Sequence, residues 1–492
     1  MKKPSTLGEL RASGYKPRSV KSELRENLIE KLRKRERIFT GILGFDDTVL
    51  PDVERAILSR HNVLLLGLRG QAKTRIARLM VQLLDEYVPV VAGSELNDDP
   101  LHPISRYAHD LIAEKGEDTP ITWLHRNERY VEKLATPDVT VADLIGDVDP
   151  IKAAAQKLSY ADERVIHFGL VPRAHRSIFV LNELPDLQAR IQVSMFNILQ
   201  EGDIQIRGFK LRLPLDIQFV FTANPEDYTN RGSIITPLKD RIESQILTHY
   251  PKTIEIARQI TQQEAHLTPE QTKMVEVPDL LKILLEQIAF EARESEYVDE
   301  KSGVSARLTI AGYENLVSTA ERRAIINRDK KTVARITDFW GVVPAITGKV
   351  ELVYEGEQEG PYLVAIHLLD AALKKLFLAH FPNPDKLRKG QERDPYGTIR
   401  AWFSAGNTVD LLNDASDKDY RIALENVAGL RKFTETRTGL QGEEAAPFME
   451  LVLHGLAAFN VLSKDFVHSS LTFRDVLADM LGDRFDDDDD EG

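Results

Sequence analysis

The stretch from His61 to Arg75 reads HNVLLLGLRGQAKTR. A short apolar run meets a glycine-bearing loop, and a Lys-Thr pair then opens KTRIARLMVQLLDEY (73–87), which has helical periodicity. A loop that leaves a buried strand and opens a helix presents free backbone N–H groups at the positive end of that helix, where phosphates bind. The pattern G-x-x-x-x-G-K-[ST] would begin at Gly67 and end at Lys73 and Thr74, so Gly67, Leu68, Arg69, Gly70, Gln71, Ala72, Lys73 and Thr74 are the candidate nucleotide-contacting residues. In such a loop the lysine neutralises β/γ-phosphate oxygens and the hydroxyl ligates Mg²⁺. The second glycine of the pattern is replaced by Ala72. Alanine accepts right-handed φ/ψ, so the replacement is expected to cost little if that residue is helical.

Four downstream features have the order expected of an ATPase. SIFVLNE (177–183) is an apolar strand ending in Glu183, a candidate base for orienting or activating water. The residue before it is Asn182, which keeps an oxygen acceptor for Mg²⁺ but lacks the charge of a carboxylate. IQFVFTANP (217–225) ends in Asn224, a polar tip able to reach between the first two motifs, although Asn-Pro is also an ordinary turn signal. ITPLKDRIESQI then places Arg241 before a further strand, where it could reach a neighbouring subunit's γ-phosphate. The competing reading is a local surface pair with Asp240. SGVSARL puts Arg307 at the start of a later helix.

Composition sets the frame. The chain has 492 residues, 42% hydrophobic and 29% charged, as in an ordinary globular protein of two or three domains. No run of about 18 apolar residues is present, so no membrane span is expected. The N-terminus lacks a secretory h-region, and the absence of cysteine excludes disulfides, zinc thiolates and cysteine nucleophiles. Together these predict a cytoplasmic chain. Net charge is −13, which argues against a dedicated nucleic-acid surface. Through Arg37 there are 12 Lys/Arg against 5 Glu. The simplest reading of that basic start is a solvated helix with i,i+4 pairs. His102, His109 and His125 have no i,i+4 spacing and read as surface or capping residues rather than metal ligands.

Short apolar runs at 62–67, 88–93, 177–183, 217–225 and 244–250 alternate with helical patterns, predicting an α/β core around a five-stranded parallel sheet. The expected organisation is a helical lead-in (1–45), an α/β core (46–252) with insertions at about 94–176, and a helical lid (253–345). A mainly helical C-terminal domain (346–482) begins with a Gly-rich acidic linker (351–361) and has a polar, loop-rich middle (382–445). A disordered acidic tail (483–492) ends the chain.

These motifs, in this order over roughly 40–345, resemble the AAA+ superfamily, and more closely its branch of MoxR-type ATPases and magnesium-chelatase ATPase subunits. That branch often has G-x-x-G-x-A-K in its phosphate loop, which Gly70, Ala72 and Lys73 fit. Residues 143–187 parallel its helix-2 insertion and acidic strand, 201–225 its hairpin and third conserved strand, and 41–58 the segment around adenine. The resemblance implies a P-loop AAA+ fold, ATP and Mg²⁺ as cofactors, and assembly into a homo-oligomeric ring, a hexamer. It further implies Thr74 and Asn182 at the metal, Glu183 as the catalytic carboxylate, and Asn224 as first sensor. Arg241 would be the trans finger and Arg307 the second sensor.

Three functions are compatible with that resemblance. The first is a ring motor or chaperone that remodels or activates a partner protein, with proteins carrying a von Willebrand A domain as the partner class the resemblance implies. The second is a magnesium chelatase subunit, which the extra C-terminal region and the cysteine-free GSELNDDPLHP disfavour. The third is a slowly hydrolysing nucleotide-dependent scaffold or switch, suggested by Asn182. Sigma-54 activators carry a GAFTGA-like loop that is absent here.

Overall fold

The structure, a computed structural model, describes residues 3–157, 163–206, 212–225, 232–387, 394–467 and 470–476. The acidic tail at 483–492 lies outside the described residues. The chain divides into two compact units, Met1–Tyr250 and Pro251–Gly492.

The first unit begins with helices α1 (Leu7–Ala12), α2 (Val20–Lys34) and α3 (Val49–Leu58), then strand β1 (Val63–Leu66) and helix α4 (Lys73–Leu79). Strands β2 (Tyr87–Val91), β3 (Ile121–His125), β4 (Tyr130–Leu134) and β5 (Ser177–Asn182) follow, then helix α5 (Phe196–Glu201) and strands β6 (Ile217–Ala223) and β7 (Ser244–Leu247). The main sheet has the order β7-β1-β6-β5-β4, with every pair parallel. Every residue of β1, β5 and β6 is buried, as continuous apolar runs in the middle of a two-sided sheet require. Alternate residues serve opposite layers. Leu64, Phe179, Leu181, Phe219 and Phe221 face a core shared with Leu144, Val171, Ile191 and Leu238. Val63, Leu65, Ile178, Val180 and Val220 face Leu24, Leu28, Val53, Ile57 and Ile76 from α2, α3 and α4.

One strand differs from the sequence expectation. The run at 88–93 forms β2, which leaves the main sheet and pairs antiparallel with β3, Tyr87 opposite His125 and Val91 opposite Ile121. The fifth strand of the main sheet is β4, YVEKL, whose Tyr130 pairs with Ile178 and Leu134 with Asn182. As an edge strand it tolerates Glu132 and Lys133, so it carries little apolar signal.

The basic lead-in is more than a solvated helix. Lys34 and Glu30 do form an exposed i,i+4 pair on α2. The opposite face of α2 buries Val20, Leu24 and Leu28, together with Glu23, whose carboxylate accepts from Arg129 Nη1 at 2.7 Å and Nη2 at 2.6 Å. Both partners are almost fully buried, so removing either would strand a charge in the interior.

In the second unit, helices α6 (Ile254–Glu264), α7 (Asp279–Glu294), α8 (Arg307–Asn327), α9 (Pro361–His380) and α10 (Ala446–Ala458) are joined by strands β8 (Val409–Leu412), β9 (Leu462–Val467) and β10 (Ser470–Asp475). The three strands form an antiparallel sheet of order β8-β10-β9. One core runs from Leu281, Leu284, Leu308 and Leu316 through Leu368 and Leu373 to Leu453 and Phe473. The acidic 351–361 segment is a packed connection: it contains a helix, Tyr354–Glu359, and the Val353 amide donates to the Tyr297 carbonyl at 3.1 Å. The polar middle also differs from the loop-rich expectation, holding helices Gly397–Ser404, Asp417–Glu425 and Leu430–Thr438. Each buries one i,i+4 pair, Ile399/Phe403, Tyr420/Leu424 and Leu430/Thr434, too narrow a stripe to dominate its composition.

A buried ionic network ties this unit together. Arg323 on α8 donates to Asp338 at 3.0 Å and to Asp417 at 2.6 Å, and Arg335 reaches Asp417 at 2.6 Å. Glu450 on α10 accepts from the Ile336 amide at 3.0 Å, the Thr337 amide at 2.9 Å and the Tyr420 hydroxyl at 2.7 Å.

Candidate active site

The phosphate-loop sequence leaves β1 and enters α4, and its shape depends on two backbone positions. Gly70 has φ +75°, a value glycine adopts without penalty. At Gly67 an added Cβ would overlap the Thr248 hydroxyl and the Gln71 amide oxygen, so close approach requires glycine there. Thr248 donates to Gln71 Oε1 at 2.6 Å, and the Tyr250 hydroxyl donates to the Arg69 carbonyl at 3.0 Å, so the segment after β7 braces the loop.

Ala72 is not in a right-handed conformation. Its φ is +55° and its ψ +16°, immediately before the first helical residue, Lys73. The turn into α4 is therefore left-handed, the geometry that glycine would supply freely. Alanine pays on the order of 1–2 kcal/mol for it. The sequence expectation of a nearly costless replacement is corrected on this point.

Five candidate residues converge here, at the C-terminal ends of β5 and β6 and the start of α4. Lys73 is only 7% exposed. Its ammonium donates to Asn224 Oδ1 at 2.7 Å, to the Leu68 carbonyl at 3.0 Å and to the Gly67 carbonyl. Asn224 Nδ2 in turn donates to Glu183 Oε2 at 2.9 Å. Lys73, Asn224 and Glu183 thus form a continuous chain from cation to carboxylate. Glu183 itself is left-handed, with φ +54°, and its amide donates to Thr222 Oγ1 at 3.2 Å. Non-glycine residues held in this region are strained and concentrate at functional sites.

Thr74 Oγ1 and Thr222 Oγ1 both donate to Asn182 Oδ1, at 3.3 and 3.0 Å. Asn182 Nδ2 donates to Glu132 Oε1 at 2.7 Å. The donor set fits a hard divalent cation: a hydroxyl and a neutral amide oxygen side by side, with a carboxylate behind the amide. Burial, with Glu132 beside it, holds the Tyr130 phenol well above its ordinary pKa, so it remains a donor to Glu132 Oε2 at 2.9 Å.

Arg241 stands apart from this cluster. Its Nε donates to Gln200 Oε1 at 3.1 Å and its Nη1 to the Pro237 carbonyl at 2.6 Å, and its guanidinium lies 4.8 Å from the centre of the Phe196 ring. These contacts tie it to α5. Arg307 is the exposed first residue of α8 in the second unit, its amide donating to Ser305 Oγ at 3.1 Å. Sequence reasoning missed Glu132, Thr222, Thr248 and Gln200. The hydroxyls and the amide belong to no spaced motif, and Glu132 lies on the strand that was not recognised.

Residues 154–246 match the sequence profile of the sigma-54 interaction domain family. The segment includes Asn182, Glu183, Asn224 and Arg241 but not the loop at 67–74, and it lacks the GAFTGA-like sequence of the activators. Among solved structures, the chain is similar to NtrX from Brucella abortus, with 14% identity over 60% of this chain and 54% of that one, TM-score 0.33. A structure described as a putative ATPase from Cytophaga hutchinsonii matches with 16% identity over 73% of this chain and 97% of that one, TM-score 0.27. A magnesium chelatase BchI–BchD complex matches with 18% identity over 65% and 98%, TM-score 0.32. The chain spans about half the length of NtrX. With a parallel sheet of order β7-β1-β6-β5-β4 and a family match running through β5 and β6, the first unit has the α/β fold of the AAA+ ATPases.

Proposed function

We propose that this chain is an ATP-hydrolysing ring motor of the MoxR-like kind, which remodels or activates a partner protein, with proteins carrying a von Willebrand A domain as the candidate class. The observation that carries the reading is the chain from Lys73 through Asn224 to Glu183 at the mouth of the phosphate loop. Lys73 would exchange its carbonyl acceptors for phosphate oxygens of ATP. Asn224, bonded to both ends, would hold the Glu183 carboxylate where it orients the attacking water and accepts its proton. Mg²⁺, held by Thr74 and Asn182, would neutralise charge on the β- and γ-phosphate oxygens. Arg241 would act on the nucleotide of a neighbouring copy after leaving Gln200, and Arg307 would sense the nucleotide from α8. The neutral amide of Asn182 supports a second reading, a slowly hydrolysing switch.

Titration with a fluorescent ATP analogue and phosphate release test both readings. Lys73→Ala should abolish nucleotide binding, and unchanged affinity would sink the site. Rings mixed from Arg241→Ala and Glu183→Gln subunits should recover activity that neither variant has alone. No recovery, with a wild-type chain that stays monomeric in ATP, would remove the ring mechanism. Turnover slower than once per several minutes would favour the switch.

A further inference from the structure

We infer that Glu132 is a positioning residue for the metal side of this site: it fixes the amide of Asn182 and supplies from the next strand the negative charge that Asn182 lacks. The inference rests on the reading of 67–74 as the ATP loop.

The register places the two residues together. Leu134 pairs with Asn182 and Glu132 with Val180, so Glu132 and Asn182 are diagonal neighbours on one face of the parallel β4–β5 pair. Helix α4 covers the same face, and residues four apart on it, Thr74 and Arg78, meet the pair. Thr74 Oγ1 reaches Asn182 Oδ1 at 3.3 Å, and Arg78 Nε reaches Glu132 Oε2 at 3.0 Å. With the Tyr130 hydroxyl also donating to Oε2, the carboxylate is held from two sides and its other oxygen is aimed at Asn182 Nδ2, 2.7 Å away.

A primary amide can present either its oxygen or its nitrogen to a neighbour, and the hydrogen-bond network decides which. A carboxylate only accepts, so Glu132 draws the NH₂ of Asn182 toward itself. The amide oxygen then faces the hydroxyls of Thr74 and Thr222, on the side of the phosphate loop. Without Glu132 only the hydroxyls of Thr74 and Thr222 would hold the amide, and because a hydroxyl can accept as well as donate they resist a turn of its NH₂ toward a cation far less than a carboxylate does. The pair carries one negative charge, the same total as a carboxylate at position 182 beside a neutral residue at 132. The charge has moved one strand outward and acts on the metal position through the amide, as partners of metal ligands commonly do.

A charge swap tests this in the full chain, comparing wild type, Glu132→Gln, Asn182→Asp and the double variant. The first readout is thermal unfolding without nucleotide or metal. Asn182→Asp alone sets two carboxylates against each other in place of a hydrogen bond and should lower the unfolding temperature, and adding Glu132→Gln should restore it by returning a donor to the pair. The second readout is the Mg²⁺ concentration giving half-maximal binding of a fluorescent ATP analogue. Glu132→Gln should raise it about tenfold or more, the usual loss when the partner of a metal ligand is changed. Nucleotide binding in excess EDTA should be unchanged, and the double variant should return the Mg²⁺ requirement to the wild-type value or below. A purely structural role would move the unfolding temperature and leave the Mg²⁺ dependence alone. The inference is overturned if Glu132→Gln leaves the Mg²⁺ requirement unchanged, or if the double variant is no better than Asn182→Asp in either readout. A Lys73→Ala control separates the two levels. If wild type and this control bind nucleotide alike, the site reading and the inference both fall. If only the control loses binding while the swap has no effect, the inference falls alone.

Discussion

Ala72→Gly should stabilise the first unit, although alanine-to-glycine changes ordinarily destabilise. The native φ of +55° costs alanine on the order of 1–2 kcal/mol that glycine does not pay. Against this stand about 0.4–1 kcal/mol for the freer unfolded chain of glycine and a few tenths for the methyl group, which is partly buried against the Ile76 and Ala77 layer. The net gain is about 0.5 kcal/mol. A small gain needs a reference, and Ala77 provides it. It lies in the same helix, right-handed and fully buried, so Ala77→Gly should lose about 1 kcal/mol of helix propensity and about 0.8 kcal/mol for its methyl. The two variants should therefore differ by roughly 2 kcal/mol with opposite signs. Trp123 is the one tryptophan of the first unit, since the other two are Trp340 and Trp402. Urea unfolding followed by its fluorescence in a Trp340→Phe, Trp402→Phe background would report this unit alone. If Ala72→Gly destabilises as much as Ala77→Gly, the left-handed turn into α4 is wrong, and with it the reason for reading that position as strained.

Gly67→Ala should cost about 1–3 kcal/mol through overpacking against Thr248 and Gln71, and it should weaken binding of a fluorescent ATP analogue, whereas wild-type affinity would contradict the braced loop. The second unit should lose stability as pH rises through about 7, because burial raises the Glu286 carboxyl to about that value. The sign follows from linkage: a folded-state pKa above the ordinary 4.5 means the folded state holds the proton more tightly, so the stabilisation is complete below about 4.5 and gone above about 7. Glu286→Gln keeps an acceptor for the Thr261 hydroxyl, which lies 2.5 Å away. It should flatten the pH profile of unfolding between those limits, and an unchanged profile would refute the assignment.

The legible parts of this protein were those where one physical demand dominates the local sequence. β1, β5 and β6 are buried on both faces and had to be apolar throughout. That Lys73, Thr74, Glu183 and Asn224 would meet was legible because a loop entering a helix and the tips of parallel strands put their side chains at one end of the sheet. β4 was hidden because an edge strand needs only part of its surface to be apolar, and β2 took its place because VPVVAG satisfies an antiparallel hairpin equally well. Glu132 was hidden with its strand. The handedness of Ala72 is set by how β1 must turn into α4, which no side chain at that position reveals. The pose of Arg241 depends on Gln200 and Phe196, forty or so residues away in sequence, and spacing alone cannot supply such a pairing.

The two ends of α8 belong to different kinds of chemistry. Its first residue is Arg307, and Arg323 lies four and a half turns further on, about 24 Å along the axis. At that far end Arg323 is clamped between Asp338 and Asp417, and Asp417 opens the helix that follows β8. The helix is thus a rod pinned at one end to the C-terminal portion of the chain. No soft joint exists at that end, because Arg323 and Asp338 are almost fully buried and their charges would be stranded if they parted. A change in the direction of α8 would therefore be passed on to Asp417 and the helix it opens rather than lost at a loose end.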